Sequence, residues 1–420
     1  LLYAMHPRLF AHGHFAASEV VFAFLATATL LLADGPVTAW RRGLLLAALC
    51  GLAIATKVNG IILTAAVCGW LCVRPWLETG DERQGLAAIK PHARVLAMAV
   101  LIAPVLALAI WPWMWSNTAA HLMGYWVFIR DHAYQGVWYL GSKWNMPITP
   151  GADAPLAPWH YPVVMLVVAT PPLTVLAALA GVLWTGWRLV SERGRAPAGD
   201  VLALLMVIGP LAAASLPDTP KYDGERLFFP AFAPLLLLVA RLDVFHGDPD
   251  APPSWRRWRI AIPAVLVSAT TFSLATHGHR GLLYTNEAIR AIVPRGEDFP
   301  FEVSYWQETI TPAVVDDIMQ LAGKDTVRVK TLALHDQVFD VQRRWGRLPA
   351  GFVTGGPPPY DYHLVQNRRG FWMRSEWSLR LMREPLLQWP PDAAEPALYL
   401  FDGAPPLPLP DDALRALEQR

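Results

Sequence analysis

The chain has 420 residues, of which 54% are hydrophobic and only 16% charged, with a formal net charge of +1. Soluble domains carry about 25% charged residues, so this composition argues against a soluble enzyme and for a polytopic membrane protein. A net charge this close to zero gives no general attraction for nucleic acid. Three cysteines, Cys50, Cys68 and Cys72, all lie in apolar stretches without metal-ligand spacing, and read as small packing residues rather than a disulfide framework.

No charged segment precedes the first apolar residues, so no signal peptide is read. Leu1, Leu2, Tyr3, Ala4 and Met5 look like the tail of an earlier helix. Next comes His6-Pro7-Arg8-Leu9-Phe10-Ala11-His12-Gly13-His14, running to Ser18-Glu19 and then into a long apolar run. Ionisable groups at the mouth of an apolar helix are costly unless they face a cavity or a site. His6, His12 and His14 are close enough in sequence to share a metal, but polar histidines at an interface are the plainer reading.

About eight stretches approach the roughly 20 apolar residues that a membrane span needs. They are residues 16–33, 43–55, 60–72, 95–112, 161–183, 201–215, 227–240 and 260–275. The two short ones, 43–55 and 60–72, are flanked by Arg41 and Arg42 on one side and Arg74 on the other. Basic flanks favour the cytoplasm, which requires a hairpin with Lys57 at its far turn. With Glu19 placed outside, the inside loops 34–42, 74–94, 184–200 and 241–259 are all basic. The C-terminal segment then lies outside.

Residues 113–160 form an outer loop rich in rings, among them Trp113, Trp115, Tyr125, Trp126, Trp138, Tyr139 and Trp144. This is either an interfacial belt or a loop lying on the membrane over a lipid or sugar site. Arg130, Asp131 and His132 among the rings give the second reading equal weight with the first. Beyond Thr276 the hydropathy falls. Residues 311–321 read as a short helix and 326–334 as a strand. The expected division is a transmembrane domain over 1–276 and a small α/β segment over 277–420.

Polar groups reach the outer face at four places: the opening stretch, Lys57, the segment Lys221-Tyr222-Asp223-Gly224-Glu225-Arg226, and the region of Asn286, Tyr305 and Trp306. A lysine closing an apolar helix often only snorkels. An arginine on the outer face opposes the positive-inside trend, and its forked donors suit phosphate. One carboxylate and several cations at helix ends fit an anionic, membrane-embedded ligand. A lipid phosphate is the simplest such ligand. The carboxylate would then serve a hydroxyl acceptor as base, or orient the base. No zinc-protease, nucleophile-elbow, phosphate-loop or Cys-x-x-Cys pattern competes.

The order of these motifs carries a resemblance. A His-Pro-x-Leu-x-Ala-His-Gly type loop leads to an acidic helix start. A Gly-Leu-Ala-x-x-Thr-Lys helix end follows at 51–57. Pro158-Trp159-His160-Tyr161-Pro162 precedes Ala169-Thr170-Pro171-Pro172. Then come a Gly-x-Arg-x-x-x-Pro segment at 224–230, a Tyr-x-Asn-Glu at 284–287 and Tyr305-Trp306. From Leu1 to Trp306 this resembles the polyprenyl-phosphate-sugar-dependent membrane glycosyltransferases, the group of dolichyl-phosphate-mannose protein mannosyltransferases and aminoarabinose transferases.

The resemblance implies an all-α membrane bundle of the glycosyltransferase C type, with a small α/β segment on the outer face of a bacterial inner membrane. It implies transfer of a sugar from a polyprenyl-phosphate donor to a hydroxyl acceptor on protein, lipid or glycan, with inversion. Glu19 matches the acid of the second outer loop. Arg8, His12, Lys57, Tyr222 and Arg226 match the side that holds the carrier phosphate. Asn286, Tyr305 and Trp306 match motifs without an assigned role.

Glu19 stands where many members have Asp, and Lys221-Tyr222-Asp223 where some have His. The first outer loop, with the main catalytic acid, is expected ahead of Leu1, so the residues 1–420 alone are expected to be inactive. No cofactor is implied apart from the lipid-linked donor, and a divalent metal stays open. A lipid-linked-sugar flippase or a non-catalytic assembly subunit are the alternative expectations.

Overall fold

The computed structural model describes residues 1–14, 18–79, 82–131, 134–191, 197–242, 253–304 and 309–418, with backbone alone at 82–88, 253–256, 278, 279 and 297. The chain is mostly helical, with a small C-terminal sheet. Five helices are long and apolar enough to cross a membrane: Asn59–Thr79, Ile89–Ile110, Pro172–Ser191, Ala198–Ser215 and Arg257–His277. A sixth span results if Pro7–Gly13 and Ser18–Ala33, bent by 111°, are taken as one. These helices make the protein a helical membrane protein by length and composition.

Four expected spans take other forms: 16–33 becomes the 16-residue helix Ser18–Ala33 and 43–55 falls in the 17-residue helix Trp40–Thr56, neither of them among the five by itself. Residues 161–183 split into Tyr161–Val168 and Pro172–Ser191. Pro171 and Pro172 lack the amide donors a helix needs, and a proline also disfavours helical geometry in the residue before it. Residues 227–240 give a 3₁₀ turn, Phe229–Ala231, and a nine-residue helix, Phe232–Ala240, too short to span alone.

By contacts the chain forms two compact units. The first comprises Leu1–Ala133, Pro162–Thr219 and Glu225–Gly281; the second comprises Tyr134–Tyr161, Pro220–Gly224 and Leu282–Arg420. In the first, the helices Trp40–Thr56 and Asn59–Thr79 form the expected hairpin: the Cys50 thiol reaches the Thr64 hydroxyl across it. Gly51 lies against the backbone of Ala103, where a Cβ would sit 2.8 Å from the carbonyl oxygen. Leu46, Cys50, Val67, Trp70, Ala103 and Leu202 belong to the buried core of this unit. Arg74 closes the far end of Ser18–Ala33, donating to the carbonyls of Ala33 at 2.9 Å and Gly35 at 2.8 Å. Cationic donors satisfy the orphan carbonyls at a helix C-terminus and complement its dipole.

The second unit holds a two-stranded hairpin, β1 (Val137–Tyr139) and β2 (Ser142–Trp144). It also holds a five-stranded sheet of β3 (Val327–Leu332), β4 (Phe352–Thr354), β5 (Tyr362–Gln366), β6 (Leu387–Trp389) and β7 (Leu398–Asp402) in the order β4-β3-β5-β7-β6. β3 pairs in parallel with β4 and β5, while β7 pairs antiparallel with β5 and β6. The expected helix over 311–321 is Pro312–Ala322, and the expected strand over 326–334 is β3. Val314, Ile318, Val327, Val329 and Phe339 fill one core, and Trp138, Val365, Trp372, Trp377 and Tyr399 another.

Glu302 joins β1 to the turn Arg369–Phe371. Its carboxylate accepts from the backbone N–H of Trp138 at 2.9 Å and of Gly370 at 3.3 Å. Burial pushes this carboxyl up to about 7, against the pull of those donors and of Arg368 and Arg369. Burial likewise pulls the Lys143 ammonium on β2 down to about 8, against the charges of Glu376 and Glu302.

Candidate functional site

Glu19 occupies the first turn of the apolar helix Ser18–Ala33, where a carboxylate complements the helix dipole. Its side chain is 1% exposed. One oxygen, Oε1, accepts from Lys57 Nζ at 2.9 Å and from Arg226 Nε at 2.6 Å. Ser18 Oγ donates to the other oxygen at 3.4 Å.

Lys57 reaches this point because the helix Trp40–Thr56 ends there and the chain turns extended, with φ −160° and ψ 149°. The same turn holds the incoming segment. Lys57 Nζ donates to the Arg226 carbonyl at 3.4 Å, and Asn59 Nδ2 donates to the Leu227 carbonyl at 2.6 Å.

A second carboxylate, Glu225, sits beside the first set. It is fully buried, with Arg8 Nη1 at 3.5 Å from Oε2 and His12 Nε2 at 3.3 Å from Oε1. Arg8 and His12 come from the short helix Pro7–Gly13, which His6 caps by accepting from the Leu9 N–H. The sequence reading did not single out Glu225. It is one of four charged residues from Lys221 to Arg226, and spacing does not tell which one turns inward. A charge immediately before an apolar helix was the only signal for it.

Three of the residues proposed from sequence, Glu19, Lys57 and Arg226, thus meet at one carboxylate, and Arg8 and His12 meet at the other. The three histidines diverge: His6 lies 3.5 Å from the Thr170 hydroxyl, His12 faces Glu225, and His14 Nδ1 meets the Phe10 carbonyl at 2.8 Å. Among the described residues no group of three or more His, Cys, Asp or Glu is arranged to hold a metal. Tyr222, buried, and Asn286 belong to the second unit. Asn286 caps the helix Glu287–Ile292, accepting from the N–H groups of Ala288 and Ile289. Tyr305 and Trp306 lie outside the described residues.

Three permanent cations face two carboxylates in this cluster. The carboxylates are buried, whereas Arg226 is 34% and Lys57 16% exposed. The accessible part of the cluster is therefore cationic, and its anions hold the cations in place.

An apolar groove of about 800 Å³ runs along the same helix. Val20, next in the chain to Glu19, lines it together with Phe24, Leu31, Leu236, Leu266 and Val267. From Val20 to Leu31 the helix advances about 16 Å. A groove of this volume lies within the roughly 300–1,000 Å³ range of small-ligand sites. Against this geometry, comparison with known proteins gives no match: no family profile, no curated protein and no solved structure matches the chain.

Proposed function

We propose that the chain takes part, as the portion that binds the carrier, in transferring a sugar from a polyprenyl-phosphate carrier to a hydroxyl acceptor at the outer face of a bacterial inner membrane. The observation that supports this reading is a cationic cluster and a long apolar groove on one helix. Such a pair suits a ligand with an anionic head and a hydrocarbon tail. The motif order described above points the same way.

In this reading the carrier's isoprenoid tail lies along Phe24, Leu31 and Leu236, and its phosphate meets Lys57 and Arg226. The acceptor oxygen attacks the sugar's first carbon from the side opposite the phosphate. The carbon–oxygen bond to phosphate breaks, the polyprenyl phosphate leaves, and the acceptor's proton passes to a carboxylate base. Lys57 and Arg226 stabilise the charge that develops on the leaving phosphate. Charge stabilisation of this kind is strongest in a site shielded from water. Glu19 acts by fixing both cations, since its Oε1 is shared between them.

The test measures binding of a fluorescent polyprenyl phosphate to the chain in nanodiscs. A charged hydrogen bond contributes about 1.5–3 kcal/mol, so Arg226→Ala is expected to weaken binding by about 10- to 100-fold. Unchanged affinity would overturn the role of Arg226. In vesicles with a labelled carrier-linked sugar and the protein, glycosylated product supports the reading. Movement of the labelled lipid across the bilayer without product would replace it with transport.

A further inference from the structure

The helix Thr118–Arg130 has no buried residue. Leu122, Met123, Trp126, Val127 and Phe128 are 39–63% exposed. From Thr118 to Ile129 there is no Asp, Glu, Lys or Arg. At 13 residues the helix is about 20 Å long, too short to cross a hydrocarbon core of about 30 Å. A helix of this length is marginal on its own in water, and a continuous apolar surface marks an interaction site.

Its two faces differ. At 100° per residue, Leu122, Met123, Trp126 and Val127 share one side, with Arg130 continuing it, while His121, Tyr125 and Phe128 lie on the other. On the second side His121 and Tyr125 meet rings from the preceding turn, while Phe128 stays exposed. Trp113 stacks on His121 with centroids 4.3 Å apart, and Trp111 meets Tyr125 edge-on at 5.1 Å. Trp111 directly follows the candidate span Ile89–Ile110. Between them, Asn117 adopts φ 50°, a left-handed conformation that asparagine tolerates and that redirects the chain. The far end carries the exposed Arg130–Asp131 pair, with bonds of 2.7 and 2.8 Å.

We propose that Thr118–Arg130 lies in the plane of the bilayer surface, with Leu122, Met123, Trp126 and Val127 sunk among the lipid acyl chains. The occupant of the open face is the lipid surface, because the helix is clamped by ring contacts to the end of a candidate span. The span's end is already at the membrane boundary, and the helix's Trp and Tyr suit that depth. The self-neutralising Arg130–Asp131 pair marks where the chain leaves the lipid. The inference rests on the spans alone and is independent of the catalytic reading.

The test uses the full chain in phosphatidylcholine–phosphatidylglycerol vesicles. With Cys50, Cys68 and Cys72 replaced by alanine, single cysteines at Met123→Cys, Trp126→Cys and Asp131→Cys carry an environment-sensitive fluorophore. The expected result is a blue-shifted emission at 123 and 126, with quenching by spin-labelled lipid several-fold stronger than by iodide, and the reverse at 131. Iodide quenching at 123 and 126 equal to that at 131 would overturn the proposal. So would protection from both quenchers, which would assign the face to a second copy or another protein. A measurement on the unaltered protein covers the case of misfolded variants. A photoactivated lipid with a diazirine in its tail should leave adducts on Leu122, Met123, Trp126 or Val127, and adducts confined to the spans would overturn the proposal.

Discussion

At the level of single residues, what organises the first unit is a set of charges in an apolar setting. Glu225 is the least replaceable of them on physical grounds. It is fully buried, and the Arg8 guanidinium beside it is 1% exposed. Removing one partner of a buried ion pair costs about 3–5 kcal/mol, because the other charge stays buried. Glu225→Ala is therefore expected to lower the melting temperature sharply, and the double variant Arg8→Ala with Glu225→Ala to recover most of the loss. A double-mutant cycle in detergent measures this coupling, and additive losses would show that the two side chains act independently. Glu19, Lys57 and Arg226 were legible in the sequence because each interrupts or closes an apolar run. Glu225 was not, since Asp223 and Arg226 nearby carry the same polarity signal. The meeting of Lys57 and Arg226 on one oxygen joins residues 169 positions apart, which no local pattern encodes.

At the level of elements, the hairpin β1–β2 shows what local reading misses. Trp138 and Tyr139 look from sequence like two more rings of an interfacial loop. Their side chains are instead 2% and 0% exposed, in the core of the second unit. Strands of three residues give no alternation to read, and β1 is tied at Trp138 to Glu302, which also accepts from the Gly370 N–H, both far away in the chain. The amphipathic helix Pro312–Ala322 and strand β3 were legible because each is long enough to show its period.

The hairpin's anchor also predicts a pH response. The Glu302 carboxyl is raised in the fold from 4.5 to about 7, so the folded chain holds a proton that the unfolded chain releases. Stability from this group is full below pH 4.5 and is lost as pH rises through 7. Lys143 is lowered from 10.5 to about 8, so its charging costs stability below pH 8, and that cost disappears as pH rises toward 10.5. Each shift corresponds to about 3 kcal/mol. The second unit is thus expected to be least stable between pH 7 and 8. Melting curves from pH 4.5 to 10.5 should show the minimum, with Glu302→Gln flattening the acid limb and Lys143→Met the alkaline limb. A curve unaltered by both substitutions would refute it.

At the level of the whole molecule, hydropathy sets the class but reads about eight spans where five helices are long and apolar enough, and a break such as the one between Tyr161–Val168 and Pro172–Ser191 is invisible to it, since both halves are apolar. The groove is likewise invisible, because it is made by helices far apart in the chain, Ser18–Ala33, Phe232–Ala240 and Pro253–His277. The helix Ser18–Ala33 carries Glu19 at one end and meets Arg74 at the other, so the groove lies between two polar layers. A ligand that used this whole arrangement would draw affinity from tail and head separately.

Filling the groove should therefore remove the dependence on tail length while sparing recognition of the head. Thr27→Trp and Ala233→Trp place bulk at two lining positions. Each is expected to weaken binding of a long-chain polyprenyl phosphate by at least tenfold, and to leave a short-chain, water-soluble prenyl phosphate within about twofold, since each tenfold change is about 1.4 kcal/mol and a few buried methylenes at about 0.8 kcal/mol each exceed it. Titrations over a series of chain lengths distinguish the outcomes. If affinity for long chains is unchanged in both variants, the tail binds elsewhere. If short and long chains weaken together, the substitutions have disturbed the cluster of Glu19, Lys57 and Arg226, and the Glu225 cycle shows whether the packing beside it has shifted.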